Sequence, residues 1–193
     1  MEKIKQNPFV KKVGFNRIVL CCVLLLMYGL FCALTGGSFA GMNRIMSALN
    51  YAYFLGFLSL GVTFVIATGQ IDFSIGPVMF CCALISGYTL TTHGISMPVA
   101  ILISILVGFA FGLFNGYLVA YWSVPSFITS MASMNIAKGL ASVYTKTQSV
   151  SWPQAADPDN GWFRNLVRYN GFPVGLAILL VVAVILSLIH ISE

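Results

Sequence analysis

Apolar runs of helical length, parted by short polar or glycine-rich breaks, recur along the whole chain. Ile18–Leu34, Tyr51–Thr68, Pro77–Leu90, Val99–Trp122, Phe127–Tyr144 and Phe172–Ile191 each read as a membrane-spanning helix, about six spans in all. Between the first two, Met42, Ile45, Met46 and Leu49 recur at helical spacing, with Asn43, Arg44 and Ser47 between them. That pattern predicts a short helix over Phe39–Asn50, lying along the outer interface. Thr35–Ser38 and Ser123–Ser126 read as turns, and Thr145–Gly171 as a polar loop. The expected fold is an all-α polytopic transmembrane helical bundle. A cleaved signal peptide is the rival reading of Ile18–Leu34. Its 17 residues exceed the usual signal core of about 7–15, and further spans follow, which favours a retained helix.

Composition settles the solvent. The 193 residues are 59% hydrophobic and only 8% charged, against about 25% charged in soluble domains. The mean hydropathy is +0.92. Lipid is the medium that tolerates so much apolar surface. The net charge of +5 is unevenly placed, since Lys3, Lys5, Lys11, Lys12 and Arg17 precede the first span. With Glu2 subtracted the tail carries five minus one, or +4, while Lys146, Arg164 and Arg168 less Asp157 and Asp159 leave the polar loop at +1. The positive-inside rule therefore makes residues 1–17 a cytoplasmic basic tail and residues 18–191 the membrane domain. Nucleic acid is not an expected partner, because the basic residues lack aromatic interleaving or a known binding module.

Cys21, Cys22, Cys32, Cys81 and Cys82 all fall inside apolar runs without metal-ligand spacing, and read as small, buried, reduced hydrophobes. His93 and His190 have no partners at ligand spacing, so no metal is expected. The chain has no nucleophile–base pair, phosphate loop or paired carboxylates, so it is not expected to be an enzyme or to carry a cofactor.

From Ile18 to Ala137 only Arg44 and Asp72 are charged, and Asp72 is the one acidic residue from Lys3 to Ala156. A carboxylate at a helix centre costs about 2.5–3.5 kcal/mol on insertion scales, so such a residue faces protein or a water-filled cavity. Gly69, Gly76 and Pro77 bracket it, which predicts a broken or re-entrant segment near residues 69–77. Two readings stand beside each other: Asp72 or Ser74 accepts from free N–H groups at the start of the third span, or Asp72 lines or gates a translocation path. Thr68, Gln70, Ser74, Asn115 and Lys138 are the other candidate path residues. Each has a plainer role, an interhelical hydrogen bond for the polar amides and hydroxyls, or snorkelling to the outer interface for Lys138. Asn135 is a further polar position of this kind. Gly108, Gly112 and Gly116 form a doubled small-xxx-small face, which reads as close helix packing. Trp152 and Trp162 read as interface anchors.

Four stretches then resemble one family in order and spacing. Gly69-Gln70-Ile71-Asp72-Phe73-Ser74-Ile75-Gly76, with its lead-in Gly61–Thr68, is similar to a signature of sugar-type ABC importer permeases, the ribose and galactose group. Gly112–Gly116, Val124–Thr129 and Met134–Leu140 resemble further stretches of the same family, and the likeness covers Leu49–Gln148. Gln70 stands where a second glycine is usual and Lys138 where arginine is common, the latter losing planar bidentate geometry. The resemblance implies a permease subunit in the bacterial inner membrane, multi-pass, with a cytoplasmic N-terminus. It also implies a separate cytoplasmic ABC ATPase, a periplasmic sugar-binding protein, a second permease copy as a homodimer, and surrounding lipid. Family members are longer, so a C-terminal truncation is expected, and Leu186–Glu193 resembles translated sequencing-adapter sequence. The competing functions are a branched-chain amino-acid ABC permease, an ion-coupled secondary transporter using Asp72, and a non-transporting membrane scaffold.

Overall fold

The computed structural model describes residues 15–167 and 174–191. The basic tail at residues 1–14, the loop end with Arg168 and Gly171, the expected start of the last span at Phe172, and residues 192–193 lie outside the described residues. All regular structure among the described residues is helical. In chain order the elements are α1 (Phe15–Leu34), a 3-10 turn (Ser38–Ala40), α2 (Met42–Ala67), α3 (Ile75–His93), α4 (Met97–Trp122), α5 (Ser126–Tyr144), α6 (Trp162–Val167) and α7 (Val174–Ile191). By length and apolar composition α2, α3 and α4 can each cross a membrane, and Val19–Leu34 and Val174–Ser187 are shorter apolar helices.

The chain divides into two compact units, Met1–Ala48 and Leu49–Glu193. In the first, α1 stops where Gly36 and Gly37 adopt φ of +58° and +84°, a conformation that costs glycine nothing. Thr35 Oγ1 donates to the Phe31 carbonyl at 2.7 Å and accepts from the Phe39 N–H at 3.2 Å. Phe39 then packs its ring 5.7 Å from Tyr28 and 5.6 Å from Phe31.

In the second unit α3, α4 and α5 pack together. Cys81 and Ile85 of α3, Phe111 of α4, and Ala137 and Ala141 of α5 form the buried centre. A second cluster, Leu90, Met97 and Ala100, sits at the α3–α4 turn. There Gly94 caps α3 at φ +62° and Pro98 occupies the first turn of α4, where its missing N–H costs no hydrogen bond. Trp152 and Phe163 of the polar segment pack onto this cluster. Elsewhere α2 meets α7: Leu179 fills the space over Gly56, and the Tyr53 ring lies over Gly175. The remaining large apolar side chains stay exposed along whole helices, Leu25 at 71% and Leu102 at 54% among them, as a lipid-facing bundle requires.

Several sequence expectations are corrected here. Phe39–Asn50 is no separate interfacial helix, because α2 runs unbroken from Met42. The third span is not the 14 residues Pro77–Leu90 but the 19 residues of α3, since Pro77 fits the first helical turn and Thr91–His93 continue the last. At about 1.5 Å per residue α3 is roughly 28 Å long, close to the ~30 Å hydrocarbon core. Cys81 and Cys82 are buried, but Cys21 and Cys22 are exposed on α1. Trp152 has a packing role that its polar segment does not announce. It stacks on Phe163 at 6.0 Å and occupies the space over Gly87, where an added Cβ would come within 2.8 Å of its indole nitrogen.

Candidate functional site

The broken segment begins with a complete helix stop. Gly69 takes φ +73°, its N–H donates to the Ile66 carbonyl at 2.8 Å, and the Gln70 N–H reaches the Val65 carbonyl at 3.2 Å. These are the paired bonds of a Schellman motif, in which only the first residue after the helix must be left-handed. Gln70 is not among the positive-φ residues, so replacing a second glycine by glutamine strains nothing.

Beyond this stop the chain is pinned to α5 and then to α4. The Ile71 N–H donates to Ser126 Oγ at 3.3 Å. Asp72 Oδ1 accepts from both the backbone N–H and the hydroxyl of Ser74, each at 2.6 Å. Ser74 Oγ in turn accepts from Asn115 Nδ2 at 3.1 Å, and the Ser133 hydroxyl donates to Asn115 Oδ1. Ser74 and Ser133 are buried at 2% and 0% exposure, so these hydroxyls depend on protein partners. Every donor in the series Ser133, Asn115, Ser74 points along the chain of bonds toward the Asp72 carboxylate, an arrangement in which successive hydrogen bonds polarise one another. Ser74 holds the N-cap position of α3 but makes no side-chain cap bond of its own. Asp72 instead closes the turn two residues ahead, as an Asx-turn does.

The contacts also fix where the segment runs. Ser126 opens α5 at the α4–α5 turn, whereas Asn115 lies seven residues before the end of α4 at Trp122. At 1.5 Å per residue that is about 10 Å along the helix. The non-helical chain thus climbs from the turn into the bundle.

A cavity of about 430 Å³ opens beside it, lined by Thr68, Gln70, Asp72 and Asn115 together with Ser126 and Ser130, and bordered by Gly112 and Gly116. A second cavity of about 280 Å³ is bordered by Ser74 and Cys82 on one side and Gly108 and Phe111 on the other. Both share Asp72, Gly112 and Asn115. The larger falls in the range of ordinary small-molecule sites, mostly apolar with a few placed polar groups.

Of the residues singled out from sequence, Thr68, Gln70, Asp72, Ser74 and Asn115 gather here. The Thr68 hydroxyl is already bonded to the Val65 carbonyl at 2.7 Å. Lys138 stands apart: it is exposed on α5, borders neither cavity, and makes no ion pair among the described residues. Asn135 bonds within its own helix, to the Met131 carbonyl at 2.9 Å. The glycine face does not pack as a unit. A Cβ on Gly108 would meet Cys82 Sγ at 3.5 Å, but one on Gly112 or Gly116 would meet nothing within 4 Å. Ser126, Ser130 and Ser133 were not singled out, although their spacing of four and three places them on one face of α5.

The fold is a helical membrane bundle with a polar break beside a cavity, and comparison with known proteins gives its family. The family described as branched-chain amino acid transport system / permease component matches residues 44–192, and the chain belongs to it. The xylose transport system permease protein of Haemophilus influenzae is 30% identical over 145 residues, 74% of this chain and 38% of that protein. The fructose import permease protein of Bifidobacterium longum is 29% identical over 201 aligned residues, covering 97% of this chain and 54% of the relative. The galactofuranose transporter permease protein of Escherichia coli is 37% identical over 118 residues, 60% of this chain and 33% of the relative. The chain thus spans roughly two fifths to half of the length of the first relatives it matches. No solved structure matches it.

Proposed function

We propose that this protein is the transmembrane permease subunit of an ATP-driven ABC importer for simple sugars or related small polar solutes. The observation that carries the reading is the hydrogen-bonded series Ser133–Asn115–Ser74–Asp72 beside a cavity, in a family whose similar members transport xylose, fructose and galactofuranose. Polyhydroxylated solutes need acceptors and donors at short range, and Asp72, Asn115, Gln70, Ser126 and Ser130 offer both kinds around the cavity. In this reading ATP is hydrolysed on a separate cytoplasmic subunit, a periplasmic binding protein delivers the sugar, and a second permease copy completes the pathway within the lipid. In this reading the chain sits in the bacterial inner membrane with its basic N-terminus in the cytoplasm, an orientation supported by the excess of lysine and arginine ahead of Ile18.

The family's own description favours one second reading, transport of a branched-chain amino acid. Uptake of labelled xylose and of labelled leucine, by cells carrying the chain with its neighbouring transport genes, separates the two. Sugar uptake that stops when the ATPase is inactivated is the expected result. Leucine uptake without sugar uptake would move the assignment to the second reading. Uptake that survives loss of the ATPase but collapses with a protonophore would point to an ion-coupled carrier with Asp72 as its coupling group.

A further inference from the structure

The two cavities lie end to end along α4. The larger borders that helix from Gly112 to Ala120, the smaller from Gly108 to Phe111 and on to Asn115. On the α3 side the smaller runs from Ser74 to Cys82, away from the α4–α5 turn. Gly108 to Ala120 is twelve residues, about 18 Å of helix and more than half of the ~30 Å hydrocarbon core. The residues common to both cavities are Asp72, Gly112 and Asn115.

We propose that the cavities are consecutive chambers of one aqueous path along α4, and that Gly112, at their junction, sets the size of the solute that passes; the identity of that solute rests on the permease reading above. A hydrocarbon tail is a poor occupant of this groove, because a carboxylate and an amide stand at its centre and both are costly against lipid. Water or a polar solute satisfies them. One turn before Asn115, on the same face of α4, the wall is glycine. Gly112 has no neighbour within 4 Å of where a Cβ would stand, so its lack of a side chain serves open space and not helix contact. Any larger residue there projects into the junction without displacing protein.

Two measurements test this. The first is the rate at which Gly112→Cys, in the otherwise native chain in membrane vesicles, reacts with a charged, membrane-impermeant thiosulfonate, read at that residue by peptide mass spectrometry. Leu113→Cys is the comparator, being exposed at 57% but bordering neither cavity. A thiol reacts as thiolate and so needs water, and the expected rate at position 112 is at least about tenfold that at 113. An equal or slower rate at 112 overturns the path. The second is uptake by Gly112→Ala and Gly112→Leu. The alanine variant is expected to spare a pentose and to reduce a hexose about tenfold, the effect of one methyl group in a fitted site, and the leucine variant to lose both. Wild-type uptake by Gly112→Leu overturns the size-setting role. Fast labelling at 112 in a chain that takes up no sugar leaves the path standing and removes the sugar assignment.

Discussion

Two stretches of non-helical chain flank the α3–α5 bundle, one before α3 and one after α5, and they use the same local device to opposite ends. In the broken segment Asp72 Oδ1 accepts the N–H two residues on, from Ser74. In the polar segment after α5, Asp157 Oδ1 accepts the N–H groups of Asp159 at 3.0 Å and Asn160 at 2.8 Å. Around Asp157 the space is filled. Trp152 lies over Gly87, Asn160 Oδ1 accepts the Met97 N–H at 3.1 Å, and Arg164 Nε donates to the Pro153 carbonyl at 2.7 Å. Around Asp72 the bonds run inward to Asn115 and Ser133, and a cavity remains. An aspartate turn is therefore no evidence of a site. The open volume beside it, bordered by helices that could have closed on it, is what separates the two.

The largest effect expected from this contrast falls on the glycines. Gly161 in the filled segment is buried, and an added Cβ would lie 2.5 Å from the Ala155 and Asp157 carbonyl oxygens. Backbone cannot give way, so Gly161→Ala is expected to cost about 2–3 kcal/mol in thermal unfolding in detergent. Gly112→Ala, bordering the open region, should leave stability unchanged or raise it by up to about 1 kcal/mol through helix propensity. Equal losses at both positions would erase the distinction.

A smaller effect sharpens the open side. Asn115→Ala removes the amide that joins Ser74 to Ser133 and is expected to cost about 1–3 kcal/mol by stranding a buried hydroxyl. Combined with Ser133→Ala in a double-mutant cycle it should show a coupling of about 0.6–1.7 kcal/mol, the range for hydrogen bonds between membrane helices. Additive losses would mean that the series is not a connected unit. The smallest effect belongs to Lys138→Gln, expected to change neither the melting temperature nor uptake, because the side chain borders neither cavity. A clear loss of transport there would restore Lys138 to the path.

The sequence showed the break plainly, since one carboxylate amid apolar residues, bracketed by Gly69, Gly76 and Pro77, has few helical solutions. Its edges were less legible. Pro77 looks like a helix start, yet the first turn admits proline, so α3 takes in Ile75 and Gly76 as well. Asn115 was identified as a polar residue, but its partners Ser74 and Ser133 follow from how three helices pack, which spacing along one helix does not encode. The α5 serines at 126, 130 and 133 carried a readable periodic signal that their small size and modest polarity conceal. The glycines of α4 were read as packing because the absence of a side chain serves a close neighbour and an empty cavity equally well. The packing of Trp152 is illegible in its own polar segment, because the Gly87 surface that receives it lies far away in sequence.

The most direct test applies one substitution to both turns. Asn in place of Asp keeps an oxygen to accept the backbone N–H while it removes the charge and turns the other oxygen into an NH2 donor, so Asp72→Asn and Asp157→Asn should both fold and melt close to wild type. If the open turn serves transport and the filled one only shape, solute uptake falls by about tenfold or more in Asp72→Asn, the loss of roughly 1.4 kcal/mol of stabilisation, and stays near wild type in Asp157→Asn. Uptake that is unimpaired in Asp72→Asn, or impaired alike in both, would contradict the account.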